Sequence, residues 1–125
     1  MIVATGIDIV EIERIEEVFE RRGDRFRDRV FTESEIDYCE GRGSKFASYA
    51  ARFAAKEAMM KALGTGWSTG VAWREIEVRR DERGAPSIEL TGRALERFNA
   101  LGAVSAHVSL SHSRNLAVAQ VVIES

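Results

Sequence analysis

The residues of this sequence whose types and spacing could do chemistry fall into a few groups. Asp8 is the lone charge in IVATGIDIV, residues 2–10, with Ile7, Ile9 and Val10 around it. A carboxylate among strand-forming apolar residues is costly to bury unless something pairs with it, and aspartate has no strand propensity to account for its place. Gly6, two residues earlier, leaves room for backbone or a ligand to come close. Asp8 reads either as a strand-end cap for the next helix or as a ligand. Glu57 and Lys61 are spaced i to i+4, acid first. That pair supports a helix by roughly 0.2–0.5 kcal/mol, and it also sets a carboxylate and an ammonium one turn apart among small side chains. Later, Ser111 and His112 end an alternating segment, while Arg42 and Lys45 lie among glycines in EGRGSK, residues 40–45, where they either reach a phosphate or face solvent. Two carboxylates suit Mg²⁺, which relies on one or two carboxylates with waters and substrate phosphates. Cations near a glycine turn suit those phosphates.

These residues need elements to hold them. The stretch from Ser48 to Leu63 is built of strong helix formers and stops at Gly64, Thr65 and Gly66, where glycine supplies positive φ. At helical phase Ala51, Ala55, Ala58 and Ala62 form a small-residue strip for packing on a sheet, and Ala50, Phe53, Ala54, Glu57 and Lys61 share a second face. Residues 2–10 read as a strand. Residues 11–29 read as one amphipathic helix, with Ile12, Ile15, Phe19 and Phe26 toward the core and Arg14, Arg21 and Arg25 opposite. From Arg21 to Arg29 five arginines face two aspartates, a local charge of +3. Such a face is either solvated or a dock for an acidic partner, because arginine makes bidentate contacts to carboxylates. Thr32 with Glu35 is a capping-box signature for a short helix ending near Cys39.

After a loop at 67–73, the spacing predicts a strand over Trp73–Arg80, a turn at Asp81–Ala85 and a partner strand at Ser87–Leu90, which makes a hairpin. Thr91 is the expected N-cap of a helix over Arg93–Leu101 that Gly102 closes. Ser105–Ser111 alternates as a half-buried strand. Leu116–Ile123 is apolar on both faces and is expected to be either central in a sheet or covered on both sides. The order predicts an α+β domain in which antiparallel strands pack on the long alanine-rich helix, with residues 1–125 as a single domain. Cys39 reads as a packing residue, Trp67 and Trp73 as anchors of loop and strand, and Met59 and Met60 as core.

The chain has 125 residues, 45% hydrophobic and 30% charged, an ordinary globular composition. A net charge of −2 and pI near 5.8 argue against a nucleic-acid partner. A single cysteine excludes an internal disulfide, and no Cys/His cluster suggests zinc. No apolar run is long enough for a membrane span and no secretory leader is evident, so a cytoplasmic protein is expected.

GIDIVEIERI at 6–15, FTESEIDYC at 31–39, RFAAKEAMMKALGTG at 52–66 and HVSLSHSRNLAVAQVVI at 107–123 together resemble the holo-acyl-carrier-protein synthases, the small bacterial 4′-phosphopantetheinyl transferases. The resemblance runs through nearly the whole chain, and the G-x-D motif combined with F-x-x-K-E-x-x-x-K-A-L-G makes it specific. It implies that fold, and transfer of the phosphopantetheine arm of coenzyme A to a serine of apo acyl carrier protein, with release of adenosine 3′,5′-bisphosphate. It further implies that Asp8 and Glu57 bind Mg²⁺ and that Lys61 contacts phosphate. Arg52, Gly64, Thr65, Gly66, Ser111 and His112 fall where the family handles coenzyme A. Family members of this length are homotrimers with active sites between protomers. An acidic carrier protein gives Arg14, Arg21 and Arg25 a docking role. Two other classes use the same residues: a non-catalytic adaptor for an acidic protein, with Asp8 and Glu57 as caps, and a metal-dependent nucleotide diphosphate hydrolase with water as nucleophile.

Overall fold

The structure, a computed structural model, describes residues 1–65 and 70–125. Its elements in chain order are β1 (Ile2–Glu11), α1 (Ile12–Arg22), α2 (Asp24–Val30), α3 (Glu33–Glu40), α4 (Lys45–Leu63), a 3₁₀ turn (Trp73–Glu75), β2 (Ile76–Arg80), β3 (Pro86–Leu90), α5 (Gly92–Ala100), β4 (Ser105–His112) and β5 (Leu116–Glu124). The α+β expectation holds. An antiparallel sheet in the order β1-β5-β4 packs on α4, and β2 and β3 form a separate hairpin. The apolar, two-faced segment becomes the central strand β5.

Helix α4 is the core. Its alanine strip Ala51, Ala55, Ala58 and Ala62 is buried, and Ala117, Ala119, Val121 and Ile123 of β5 are buried as well. Small side chains on both surfaces bring helix and sheet close, most of all at Gly6, where a Cβ would run into the carbonyl of Ala58 and come within 3.0 Å of the Ala62 amide. That is a clash with backbone, which cannot step aside. The helix begins at Lys45, a turn before the expected Ser48, and ends at Gly64 with φ +71°.

Residues 11–29 do not form one helix. Gly23, with φ +55°, separates α1 from α2, although the apolar periodicity runs on through it. Trp73–Glu75 is a 3₁₀ turn rather than the start of the strand, since Glu75 turns back to accept from the amide of Ala72 at 2.7 Å. The other oxygen of Glu75 accepts from the Arg93 amide at 2.7 Å. It therefore does for α5 what was expected of Thr91, which sits at the N-cap without a side-chain bond. The capping box of Thr32 and Glu35 is present in full. None of the described helices is long and apolar enough to cross a membrane.

Candidate active site

The close approach at Gly6 sets the geometry. Residues of β1 alternate across the sheet, so Asp8 turns to the same side as Gly6, against the last turns of α4. There the Lys61 ammonium donates to Asp8 Oδ1 at 3.0 Å and to the Ile7 carbonyl at 3.0 Å. Lys61 thus pairs across the fold with Asp8 and not along its helix with Glu57. Asp8 is no helix cap either, because α1 has no side-chain cap bond at its start. Glu57, half-buried one turn before Lys61, has its pKa pushed up by burial and by the Asp8 charge, against the lowering effect of Lys61. Two carboxylates that feel each other in a partly desolvated place call for a cation.

Among the described residues no group of three or more His, Cys, Asp or Glu is arranged to hold a metal. A cation beside Lys61 would meet the carboxylates of Asp8 and Glu57, with its remaining positions left to water and substrate oxygens. Mg²⁺ accepts that arrangement, whereas zinc takes three or four protein ligands.

His112 lies on the same face of the sheet, in the row Val10, Ala117, His112. It is two residues along and two strands across from Asp8, on the order of 12 Å. His112 joins Arg42, Lys45 and Arg114 around a cleft of about 550 Å³ at the N-terminus of α4. The N-cap, Ser44, makes no side-chain bond there, so backbone N–H groups add to the positive field. Strand alternation sends Ser111 to the opposite face, beside Ile9 and Val118, away from this cleft.

Gly64 and Thr65 continue from α4. The Thr65 amide donates to the Met60 carbonyl at 3.0 Å, and Arg97 Nε donates to the Leu63 carbonyl at 2.8 Å. Together with Arg93 they line a cleft of about 670 Å³. Gly66 and Trp67 lie outside the described residues. Arg52 is nine residues before Lys61, on the opposite side of α4. It is 2% exposed, with its guanidinium 4.0 Å above the Tyr38 ring and its Nε without a partner. Within one chain Arg52 does not join Asp8, Glu57 and Lys61.

The arginines gather elsewhere. Arg21, Arg22, Arg25 and Arg29 rim a cavity of about 480 Å³ floored by Phe26, Phe53 and Trp73. Asp24 and Asp28 pair with Arg27, at 3.2 and 3.0 Å, and none of the four rim arginines has an ion-pair partner among the described residues. Arg14 lies on α1, exposed, two turns before Arg21 and outside this cavity. Sequence reasoning missed Arg22 and Arg29, because the break at Gly23 turns α2 and regroups the side chains. It also gave Lys56 no role. Lys56 is fully buried, 2.8 Å from Glu35, and burial pushes its pKa down against the pull of Glu35. The available signal was helical phase, since Lys56 shares a face with Met59 and Leu63.

The description of the family model that matches residues 4–121 is 4′-phosphopantetheinyl transferase superfamily. A holo-[acyl-carrier-protein] synthase of Koribacter versatilis is 48% identical over 124 residues, 99% of each chain, and one of Geobacter sp. strain M21 is 47% identical over the same coverage. The crystal structure of the Neisseria meningitidis synthase superposes with a TM-score of 0.89 at 34% identity, covering 100% of both chains. The Helicobacter pylori synthase in complex with coenzyme A gives 0.84 at 34% identity, covering 96% of this chain and 99% of that one. The family model thus spans nearly the whole chain, relatives match it end to end at close to half identity, and the fold superposes on solved synthases, so that this chain belongs to the 4′-phosphopantetheinyl transferase superfamily.

Proposed function

We propose that this chain transfers the 4′-phosphopantetheine group of coenzyme A to a serine hydroxyl of apo acyl carrier protein, releasing adenosine 3′,5′-bisphosphate, with Mg²⁺ at Asp8 and Glu57. The observation that carries the proposal is the convergence of Asp8, Glu57 and Lys61 across β1 and α4. Phosphoryl transfer asks little covalent work of a protein; it asks for charge neutralisation and alignment. Mg²⁺, when bound, would supply the divalent charge that offsets the diphosphate. Lys61, free to swing from Asp8, would hold a phosphate oxygen. Glu57, or a metal-bound water that it would orient, is the candidate to take the serine proton. The basic cleft at His112, Arg42 and Lys45 fits the 3′-phosphate and adenosine end of coenzyme A. Gly64 and Thr65 are in reach of the diphosphate end. For Arg52 and Ser111 a role in coenzyme A binding rests on the family resemblance alone.

The arginine-rimmed cavity fits the acidic carrier protein, with Arg21 and Arg25 at its mouth, Arg14 extending it along α1, and Arg22 and Arg29 added. Active sites between protomers of a homotrimer are supported by the exposed apolar side of the sheet, where Ile7 and Ile9 are 56% and 61% open. The enzyme would act in the cytoplasm.

Incubating the protein with apo carrier protein, coenzyme A and Mg²⁺ and weighing the carrier intact tests the reading. Gain of one phosphopantetheine, abolished by chelator and in Asp8→Ala and Glu57→Ala, is expected. Coenzyme A left intact would point to an adaptor, and coenzyme A cleaved without modifying the carrier to a hydrolase.

A further inference from the structure

The Lys56 ammonium is fully enclosed, and each of its three protons has a partner. It reaches Glu35 Oε1 at 2.8 Å, the Trp73 carbonyl at 3.1 Å, and the Ile76 carbonyl. Glu35 is equally occupied. Its Oε1 also accepts from the Thr32 amide at 2.8 Å, and its Oε2 accepts from the Val78 amide at 2.8 Å. One ion pair therefore ties α3, α4, the 3₁₀ turn and β2 at a single point. A buried ion pair is a poor way to gain stability, because apolar residues of similar size do as well or better. Its distinctive property is direction: two of the three N–H donors fix the carbonyls of Trp73, in the 3₁₀ turn, and Ile76, at the start of β2, relative to α4.

The residue fixed is Trp73. Its ring stacks on Phe53 with centroids 5.1 Å apart and planes at 27°, and Phe53 in turn lies 6.1 Å from Phe26. Those three rings are the floor of the cavity that the arginines rim. We infer that Lys56 and Glu35 form a positioning device that holds Trp73 in the floor of the carrier-protein dock, and so set affinity for the carrier without touching either substrate. This rests on the docking role given to that cavity above. It adds a residue pair that acts on one substrate and not on the other.

The test uses the full chain with apo carrier protein and coenzyme A varied separately. Lys56→Met removes the clamp, and Glu35→Gln with Lys56→Met removes it without leaving a lone buried carboxylate. In both, KM for the carrier is expected to rise about tenfold, the loss of one interface anchor, while KM for coenzyme A and kcat stay within about twofold. Trp73→Leu keeps the backbone carbonyl that Lys56 holds and tests the dock alone. If Trp73→Leu raises the carrier KM and the clamp variants do not, the positioning role fails and the dock stands. If Trp73→Leu leaves the carrier KM unchanged, the docking reading fails and takes the inference with it. Proportional loss of all kinetic parameters in the clamp variants, or a double variant that does not fold, assigns the pair to the fold and overturns the inference.

Discussion

Lys61 holds Asp8 with a side chain that is 54% exposed, so their pair contributes only about 0–1 kcal/mol to stability. Lys61→Ala is therefore expected to leave the melting temperature within about 3 °C of wild type. Coenzyme A binding should weaken about tenfold or more, the worth of a charge-assisted bond to phosphate. Calorimetric titration reads both halves, and unchanged affinity would remove Lys61 from the site. A second residue-scale case concerns pH. The Tyr49 hydroxyl donates to Glu40 at 2.7 Å, and chiefly that bond holds the Glu40 carboxyl below its ordinary value of 4.5. A carboxylate whose pKa folding lowers binds fewer protons folded than unfolded, so its stabilisation is complete above about pH 4.5 and is lost as pH falls through the folded value. Tyr49→Phe should cost under about 1 kcal/mol at neutral pH, since Glu40 is partly exposed. Denaturant melts from neutral pH to about pH 3 should show the gap closing in acid, and a constant gap would locate the stabilisation elsewhere.

At the scale of elements, Gly6 is where β1 and α4 touch backbone to backbone. Gly6→Ala drives a methyl into the Ala58 carbonyl and should cost about 1–3 kcal/mol. Because β1 must then lift from α4, Asp8 moves away from Lys61, and activity should fall further than the loss of folded protein accounts for. Activity per folded molecule, measured beside circular dichroism, separates the two effects; equal falls would mean the site survives the shift. These elements also show what could be read in the sequence. The alanine strip, the central strand and the capping box each follow from a local pattern, and each formed as its pattern requires. Asp8 stood out because a strand offers it no reason to exist. Its partner did not, because an ion pair between residues 8 and 61 leaves no local spacing, while Glu57 and Lys61 offered a nearer match. The break at Gly23 was hidden by a periodicity that runs on through both helices. Lys56 was hidden by the ordinary habit of lysine, which is to reach for water.

At the scale of the whole molecule, the outer side of the sheet carries exposed apolar side chains. Ile7 and Ile9 stand exposed on it together with Leu116, and such a contiguous apolar patch marks an interaction surface. If the chain assembles as proposed, the parent is expected to be a trimer by light scattering, and replacing Ile7 and Ile9 together by aspartate should yield a monomer, with transferase activity lost and secondary structure kept. A parent chain that is monomeric would sink the assembly. The sheet order has a consequence in time as well. Strand β1 precedes the other described strands, yet its one strand partner among them is β5, more than a hundred residues later in the chain, and contacts of such long range form slowly. Until β5 has been made, Asp8 therefore lacks the strand partner, Ala119, that fixes its place in the sheet. A nascent chain can wind α4 early and carry Glu57 and Lys61 on it, yet it stays chemically silent until β5 has emerged and zipped β1 into place.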